Sequence, residues 1–294
     1  MDQAEQLRNI IKAGGGTHSR PLARVITVTS GKGGVGKSNT AINLAIQFRK
    51  MGQRVIILDA DFGLANIEIM FGAVPKHNLC DLIYQGKSIK EIITWGPMDV
   101  GFISGGSGIA GLSNLSRDYL IYIINNLAEL DSIADVIIVD TGAGISDAVL
   151  EFLVASGEIL LVTTPEPTSI TDSYSLLKAL GRHSRFSAEM TQVKVIANKV
   201  EDKADGERLF EKLDTVVGKY LKIPITYLGA IPQDTQLSKA VMQQMPISLK
   251  SPTAKSAVAY ETIAAKLMNK ELSKSVPKRG MAAFFSHIVT GKIL

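Results

Sequence analysis

Residues 25–29, all β-branched, run into Ser30-Gly31-Lys32-Gly33-Gly34-Val35-Gly36-Lys37-Ser38-Asn39-Thr40, and a helical period begins at once. Glycines packed this densely weaken either a strand or a helix, so they mark a tight connection between the two. Strand, glycine loop and helix in that order fit the pattern G-x-x-x-x-G-K-S, whose physical sense is anion binding. Glycine lets the backbone wrap a phosphate with its N–H groups turned inward, and the helix N-terminus adds a favourable dipole. Gly31, Gly33, Gly34, Val35 and Gly36 then form the cradle, Lys37 meets the β- and γ-phosphates, and Ser38 serves Mg²⁺.

The rest of the chain repeats the alternation. Short apolar runs predict strands at 25–29, 55–58, 100–103, 136–139, 159–163, 193–197 and 225–228. Longer periods predict helices at 37–51, 117–130, 147–155, 169–183, 206–222 and 252–269. This is the pattern of an α/β fold: a single doubly wound, mostly parallel sheet with helices on both faces and ligands at the carboxyl ends of its strands. Both ends stand outside it. The expected organisation is an arm and glycine linker at 1–23, a nucleotide-binding domain at 24–272, and a basic linker with a terminal helix at 273–294.

Composition removes several classes. With 46% hydrophobic residues, the chain can bury a core and is not disordered. One cysteine, Cys80, supplies no disulfide framework and no cysteine-held cluster within a monomer. The acidic start lacks the character of an export signal, and apolar runs such as 136–139 are too short to cross a bilayer, so a reducing cytoplasm is expected. A net charge of +4 is compatible with an anionic surface as partner but decides nothing alone.

Lys32, inside the loop, is not demanded by ordinary phosphate binding. The segment Lys32-Gly33-Gly34-Val35-Gly36-Lys37-Ser38 resembles the phosphate loop of the MinD/ParA ATPase family. Two further segments, from Asp59 to Asn66 and from Val136 to Gly144, resemble that family's switch regions. The resemblance implies an ATP- and Mg²⁺-dependent homodimer with weak hydrolysis, in which Lys32 reaches the partner subunit's phosphates. It implies that Asp61 positions the attacking water, and that Asn198, Pro232 and Asp234 lie against the adenine. The residues themselves place Asp59 and Asp61 on opposite sides of an extended segment, or diverging at its end, so that one can orient water while the other faces the metal shell; with Asp61 on the water by resemblance, Asp59 is the metal candidate. Asp140, ending an apolar strand, is the other metal candidate, although an acid there also closes turns. Asn198 as a turn residue and Asp234 as a helix cap remain open alternatives. Asn39 stands where the family usually has threonine, which leaves the α-phosphate contact open.

The single cysteine sets aside the iron–sulfur branches of the family. At the C-terminus Met281, Phe284, Phe285, Ile288, Val289 and Leu294 form an apolar stripe, which favours membrane binding over DNA binding, a helix docked on its own core being the alternative. The opening Asp2-Gln3-Ala4-Glu5-Gln6-Leu7-Arg8 resembles the N-terminal element of the flagellar number regulators (FlhG, YlxH or FleN). That resemblance implies an arm that stimulates the GTPase FlhF, with Gln3 near the partner's catalytic water and Leu7 and Arg8 as anchors. The expectation is a cytoplasmic switch, reversibly bound to the anionic inner face of the cell membrane, that sets flagellar number or placement. Basal-body or C-ring proteins are further expected partners, and no specific nucleic acid is. A MinD-type division-site selector and a ParA-like DNA-partitioning ATPase are the alternatives.

Overall fold

Strands that are apolar on both faces need cover on both faces, and the chain provides it. The computed structural model describes residues 22–61, 66–105, 124–269 and 280–290. The strands are β1 (Arg24–Thr29), β2 (Val55–Ala60), β3 (Thr94–Trp95), β4 (Gly101–Ser104), β5 (Val136–Thr141), β6 (Glu158–Thr163), β7 (Gln192–Val200) and β8 (Ile225–Pro232). Among the described residues they form one sheet in the order β3-β4-β2-β5-β1-β6-β7-β8, parallel except for the short β3–β4 pair. Every residue of β2, β5 and β6 is buried. β1 lies inside the sheet between β5 and β6, with Val28 in register with Asp140. On the far side of β5, Asp59 is in register with the same Asp140, so two acids stand side by side at the carboxyl end of the sheet.

The helices are α1 (Lys37–Lys50), α2 (Asn66–Phe71), α3 (Leu79–Gln85), α4 (Ile89–Ile92), α5 (Leu130–Ile133), α6 (Asp147–Ala155), α7 (Pro167–Arg182), α8 (Lys203–Tyr220), α9 (Thr235–Met242), α10 (Ile247–Lys250), α11 (Lys255–Met268) and α12 (Gly280–Thr290). α1 and α11 pack on one face over Ile26, Val28, Ile57 and Ile138. α6, α7 and α8 cover the other over Val139, Ile159, Leu161 and Val195. Side chains cap most of the ligand-end helices: Ser146 accepts the Val149 N–H ahead of α6, and Asp202 the Asp205 N–H ahead of α8. α1 differs. Its cap is Gly36 at φ 95° with no side-chain hydrogen bond, which leaves the first-turn N–H groups of that helix for something else.

All the expected strands are present. β2, β5 and β7 run past their expected ends because the polar residues there stay in the ladder, as Asp59 and Asp140 do. β3, α2 to α4, α9 and α10 went unanticipated, since elements so short carry little periodic signal. Of the helix expected at 117–130, only 124–130 falls among the described residues; Gln3, Leu7, Arg8 and Leu294 fall outside them.

In the terminal helix the structure shows the docked arrangement that was the alternative to lipid binding. α12 spans Gly280–Thr290, and its stripe is turned inward: Met281, Phe284 and Phe285 are buried at 2% exposure or less. They share a cluster with Leu58, Val139 and Phe152, and Ile288 is partly buried against it. The Phe284 ring lies 6.0 Å from that of Phe152 on α6. Polar contacts fix both ends, the Met281 N–H donating to Asp131 at 2.9 Å and Arg185 donating to the His287 carbonyl at 2.8 Å. An apolar stripe needs an apolar surface, and this one meets it on the domain's own α6. The side chain of Val289 lies outside the described set. At the opposite end of the sheet from the glycine loop, Arg24 pairs with the buried Glu158, which Lys194 also contacts, and donates to the Leu267 carbonyl near the end of α11.

Candidate nucleotide site

The glycine loop joins β1 to α1, and geometry requires three of its glycines, Gly31, Gly34 and Gly36. Gly34 and Gly36 take φ of 76° and 95°, a region that costs most other residues strain. A Cβ on Gly31 would stand 2.2 Å from the Asp172 backbone of α7. Gly33 has open space instead. From the other side the Gly144 N–H, in the loop after β5, donates to the Ser30 carbonyl at 2.9 Å.

Under the loop lies a buried ion pair. Lys37 Nζ stands 3.0 Å from Oδ1 of Asp140, and both side chains are almost wholly removed from solvent. Burial raises the Asp140 pKa, against the pull of Lys37 and of the Ser38 hydroxyl. Its Oδ2 has no hydrogen-bond partner. Asp59 accepts the N–H groups of Asp61 at 3.1 Å and Ile67 at 3.3 Å. Burial first, then the neighbouring Asp140 charge, push its pKa to about 7. Asp61 does not stand on the opposite side from Asp59. Residues two apart share a side of an extended segment, and the Asp61 carboxyl lies over Gly142, close enough to Asp140 to repel it.

Buried carboxylates crowded together, one with an orphaned oxygen, call for a cation. Among the described residues no group of three or more His, Cys, Asp or Glu forms a ready metal cage. Mg²⁺ suits such a site, because it takes one or two carboxylates and completes its shell with phosphate oxygens and water. Ser38, Asp59 and Asp140 are the oxygen donors at hand. Asn39 contributes its backbone carbonyl to the Asn43 side chain, inside α1.

Four other expected residues have partners or places of their own. Lys32 donates to Glu166 at 2.9 Å and to Thr168 at 2.8 Å within its own chain, and the pairing lowers the Glu166 pKa. Both partners are exposed enough for water to weaken the pair. Asn198 is buried and donates from Nδ2 to the Val35 carbonyl at 2.6 Å. Pro232 ends β8. Asp234 caps α9 through Gln236 and binds both the N–H and the hydroxyl of Ser256; burial works against its charge, but these hydrogen bonds hold its pKa down. Sequence reasoning missed Glu166, Thr168 and Lys199, the last donating to the Gly34 carbonyl at 2.8 Å. Lys199 was in plain view beside Asn198, but nothing in a linear pattern brings it to a loop so far away in sequence.

The model of the CobQ/CobB/MinD/ParA nucleotide-binding domain matches residues 26–247. The chain is 38% identical over 262 residues to the antiactivator FleN of Pseudomonas aeruginosa, covering 89% of this chain and 91% of that protein. It is 33% identical over 270 residues to the flagellum site-determining protein YlxH of Helicobacter pylori, covering 90% of each. The septum site-determining protein MinD complexed with Mg-ADP, from Pyrococcus horikoshii, shares the fold with a TM-score of 0.65 at 21% identity, over 87% of this chain and 99% of that one. A phosphate loop on a parallel sheet with this order defines a nucleotide-binding ATPase, and the chain belongs to the MinD/ParA family.

The Asp59 pKa yields a test. It lies above the ordinary carboxylate value of about 4, so the stability tied to its proton is complete below about pH 4 and is lost as pH rises through about 7. Asp140, shifted the same way, adds to the slope. Urea midpoints of nucleotide-free protein in chelator should fall across that range, less steeply in Asp59→Asn, and Mg²⁺ should recover part of the loss at the alkaline end.

Proposed function

We propose that the chain is an ATP- and Mg²⁺-dependent dimerising switch that controls flagellar number or placement. The observation that carries this reading is the division between two lysines of one loop. Lys37 is buried against Asp140 inside the site, whereas Lys32 stands at the open rim, held by a solvent-weakened pair with Glu166 and a hydrogen bond to Thr168. A buried lysine serves its own nucleotide, and a rim lysine is free to exchange Glu166 for a stronger anion on a second copy. Similarity to FleN and YlxH supports the flagellar assignment.

In this reading the loop N–H groups and Lys37 hold the phosphates, and Ser38, Asp59 and Asp140 hold Mg²⁺, which neutralises phosphate charge. Asp61 orients the attacking water. Pro232 and Asp234 flank the base. Lys37→Ala should weaken nucleotide binding about 100-fold. Lys32→Ala should bind ATP yet neither dimerise nor hydrolyse, while Asp61→Ala should accumulate ATP-bound dimers with hydrolysis down about 100-fold. Light scattering that found the same dimer content in ADP and in ATP would remove the mechanism.

α12 is, in this reading, the membrane element in its stored position. Burying Met281, Phe284 and Phe285 is worth about 1.5–3 kcal/mol each, but a lipid interface supplies apolar surface too, so moving the helix exchanges one cover for another. α6, on which it rests, begins shortly after the Asp140–Gly144 segment, so one helix joins the phosphate site to the docking surface around Phe152. Two helices released in one dimer insert together, which raises affinity steeply. Amide exchange in α12 should be slow with ADP and accelerate with ATP and anionic vesicles. Persistent protection in α12, or flotation by a chain ending at residue 279, would overturn the role.

The arm at 1–23 is assigned to FlhF. In the sequence Ala4, Leu7 and Ile11 recur at helical spacing, and eleven residues are too few to hold a helix alone in water, so a partner packing on that face would supply what the segment lacks. A peptide of residues 1–23 should accelerate GTP hydrolysis by FlhF, and Gln3→Ala should blunt the effect. No acceleration at saturating peptide would return the chain to the broader MinD-like class.

A further inference from the structure

A helix leaves its first four N–H groups and its last four C=O groups without partners of its own, and α12 meets a charged side chain at each end. The Met281 N–H is shared between the two carboxylate oxygens of Asp131 on α5, at 2.9 and 3.1 Å. Burial raises the Asp131 pKa, and the N–H groups of Met281, Ala23 and Ala282 work against that rise. There is no slack at this joint, because a Cβ on Gly280, itself at φ 66°, would stand 2.5 Å from Asp131 Oδ2. α12 ends at Thr290, so the His287 carbonyl is among the last four, and Arg185 donates to it at 2.8 Å.

The signs match the helix. A carboxylate suits the positive N-terminal end of a helix dipole, and a guanidinium suits the negative C-terminal end. A lipid interface replaces apolar cover, but water would meet both helix ends there in place of fixed charges. The end contacts therefore distinguish the docked state where the apolar stripe does not. Behind the two ends stand different supports. Arg185 also pairs with Glu151 of α6, and His183 Nε2 lies 3.7 Å from the same carboxylate. Glu151 precedes Phe152, whose ring meets Phe284, so one turn of α6 supplies both the apolar floor and the charge that aims Arg185. That helix is capped by Ser146, shortly after the Asp140–Gly144 segment of the phosphate site.

We propose that Asp131 and Arg185 form a two-ended electrostatic clamp that selects the docked state of α12, and that Glu151 is the positioning residue through which a shift of α6 opens it. The proposal deepens the reading of α12 as a stored membrane element and rests on it. A displacement of about 1 Å takes a 2.8 Å hydrogen bond beyond bonding range. α6 therefore needs to move little for Arg185, carried with Glu151, to leave the His287 carbonyl. Asp131, on α5, holds the other end independently of that line.

The test is amide exchange in the full chain, with β5 and β6 as the control for an intact fold. In nucleotide-free protein Asp131→Ala and Arg185→Gln should each accelerate exchange in α12 about tenfold. Asp131→Asn, which keeps an acceptor oxygen, should do so less, and Arg185→Lys should recover only part, because an ammonium lacks the fork that serves Glu151 and the carbonyl together. Glu151→Gln should accelerate exchange in the otherwise wild-type chain and add nothing in Arg185→Gln, whereas Asp131→Ala and Arg185→Gln should multiply. The ratio of α12 exchange in ATP to that in ADP, with phosphatidylglycerol vesicles present, should fall in Glu151→Gln. Wild-type exchange in Asp131→Ala or Arg185→Gln, independent effects of Glu151→Gln and Arg185→Gln, or an unchanged ATP-to-ADP ratio in Glu151→Gln would overturn the proposal. If α12 of the wild type stayed protected with ATP and vesicles, the membrane reading would fall, and the nucleotide-free variants would still decide the clamp.

Discussion

The buried pair of Lys37 and Asp140 governs the ligand end of this molecule. Taking both charges out of water costs several kcal/mol per ion, and only close pairing offsets that. The pairing in turn needs the strand that carries Asp140 to lie beside the strand that launches the glycine loop, which is what the β5–β1 ladder provides. Asp59 is in register on the next strand and is forced towards its neutral form by the same crowding. The pair reads as a placeholder. A phosphate taking Lys37 would strip Asp140 of its counter-charge, and a divalent cation held by Asp140 would restore it. Binding would then be an exchange of partners among groups already desolvated.

The architecture was legible because its signals are long and redundant. Continuous apolar strands and full helical periods recur, and both the loop and the acids fall at strand ends where a parallel sheet gathers its ligands. What stayed hidden is local or distant. β3 is two residues long, and α2, α4 and α10 have at most two turns, too little for periodicity to register. Glu166 and Lys199 come to the loop from the ends of β6 and β7, a meeting no linear spacing encodes. Asp59 and Asp61 were separable on paper, but both stand on the side of Asp140.

Asn198, the α12 stripe and Asp234 share a trait: each has one chemistry and several possible partners. An amide donates to a carbonyl as readily as to a base, and Asn198 has the Val35 carbonyl at hand. An apolar stripe satisfies itself on protein as on lipid, and α12 has Phe152 and the strands behind it. Asp234 binds N–H groups of its own chain as any helix-capping acid does. Sequence reports the demand of each group; the fold decides which supplier is nearest.

Arg24 links features that otherwise look unrelated. It opens the strand that ends in the phosphate loop, pairs with buried Glu158, and holds the Leu267 carbonyl close to where the described domain ends at residue 269. Leu22 and the start of α12 lie at this same end, the ideal Cβ of Gly280 coming within 3.0 Å of Leu22 and 2.5 Å of Asp131. Leu22, Leu267 and Gly280 therefore stand together at one pole, while the loop occupies the other. Such a molecule is polarised like a relay: the phosphate loop forms one terminal, these three positions mark the opposite one, and α6 is a conductor that runs between them against α12.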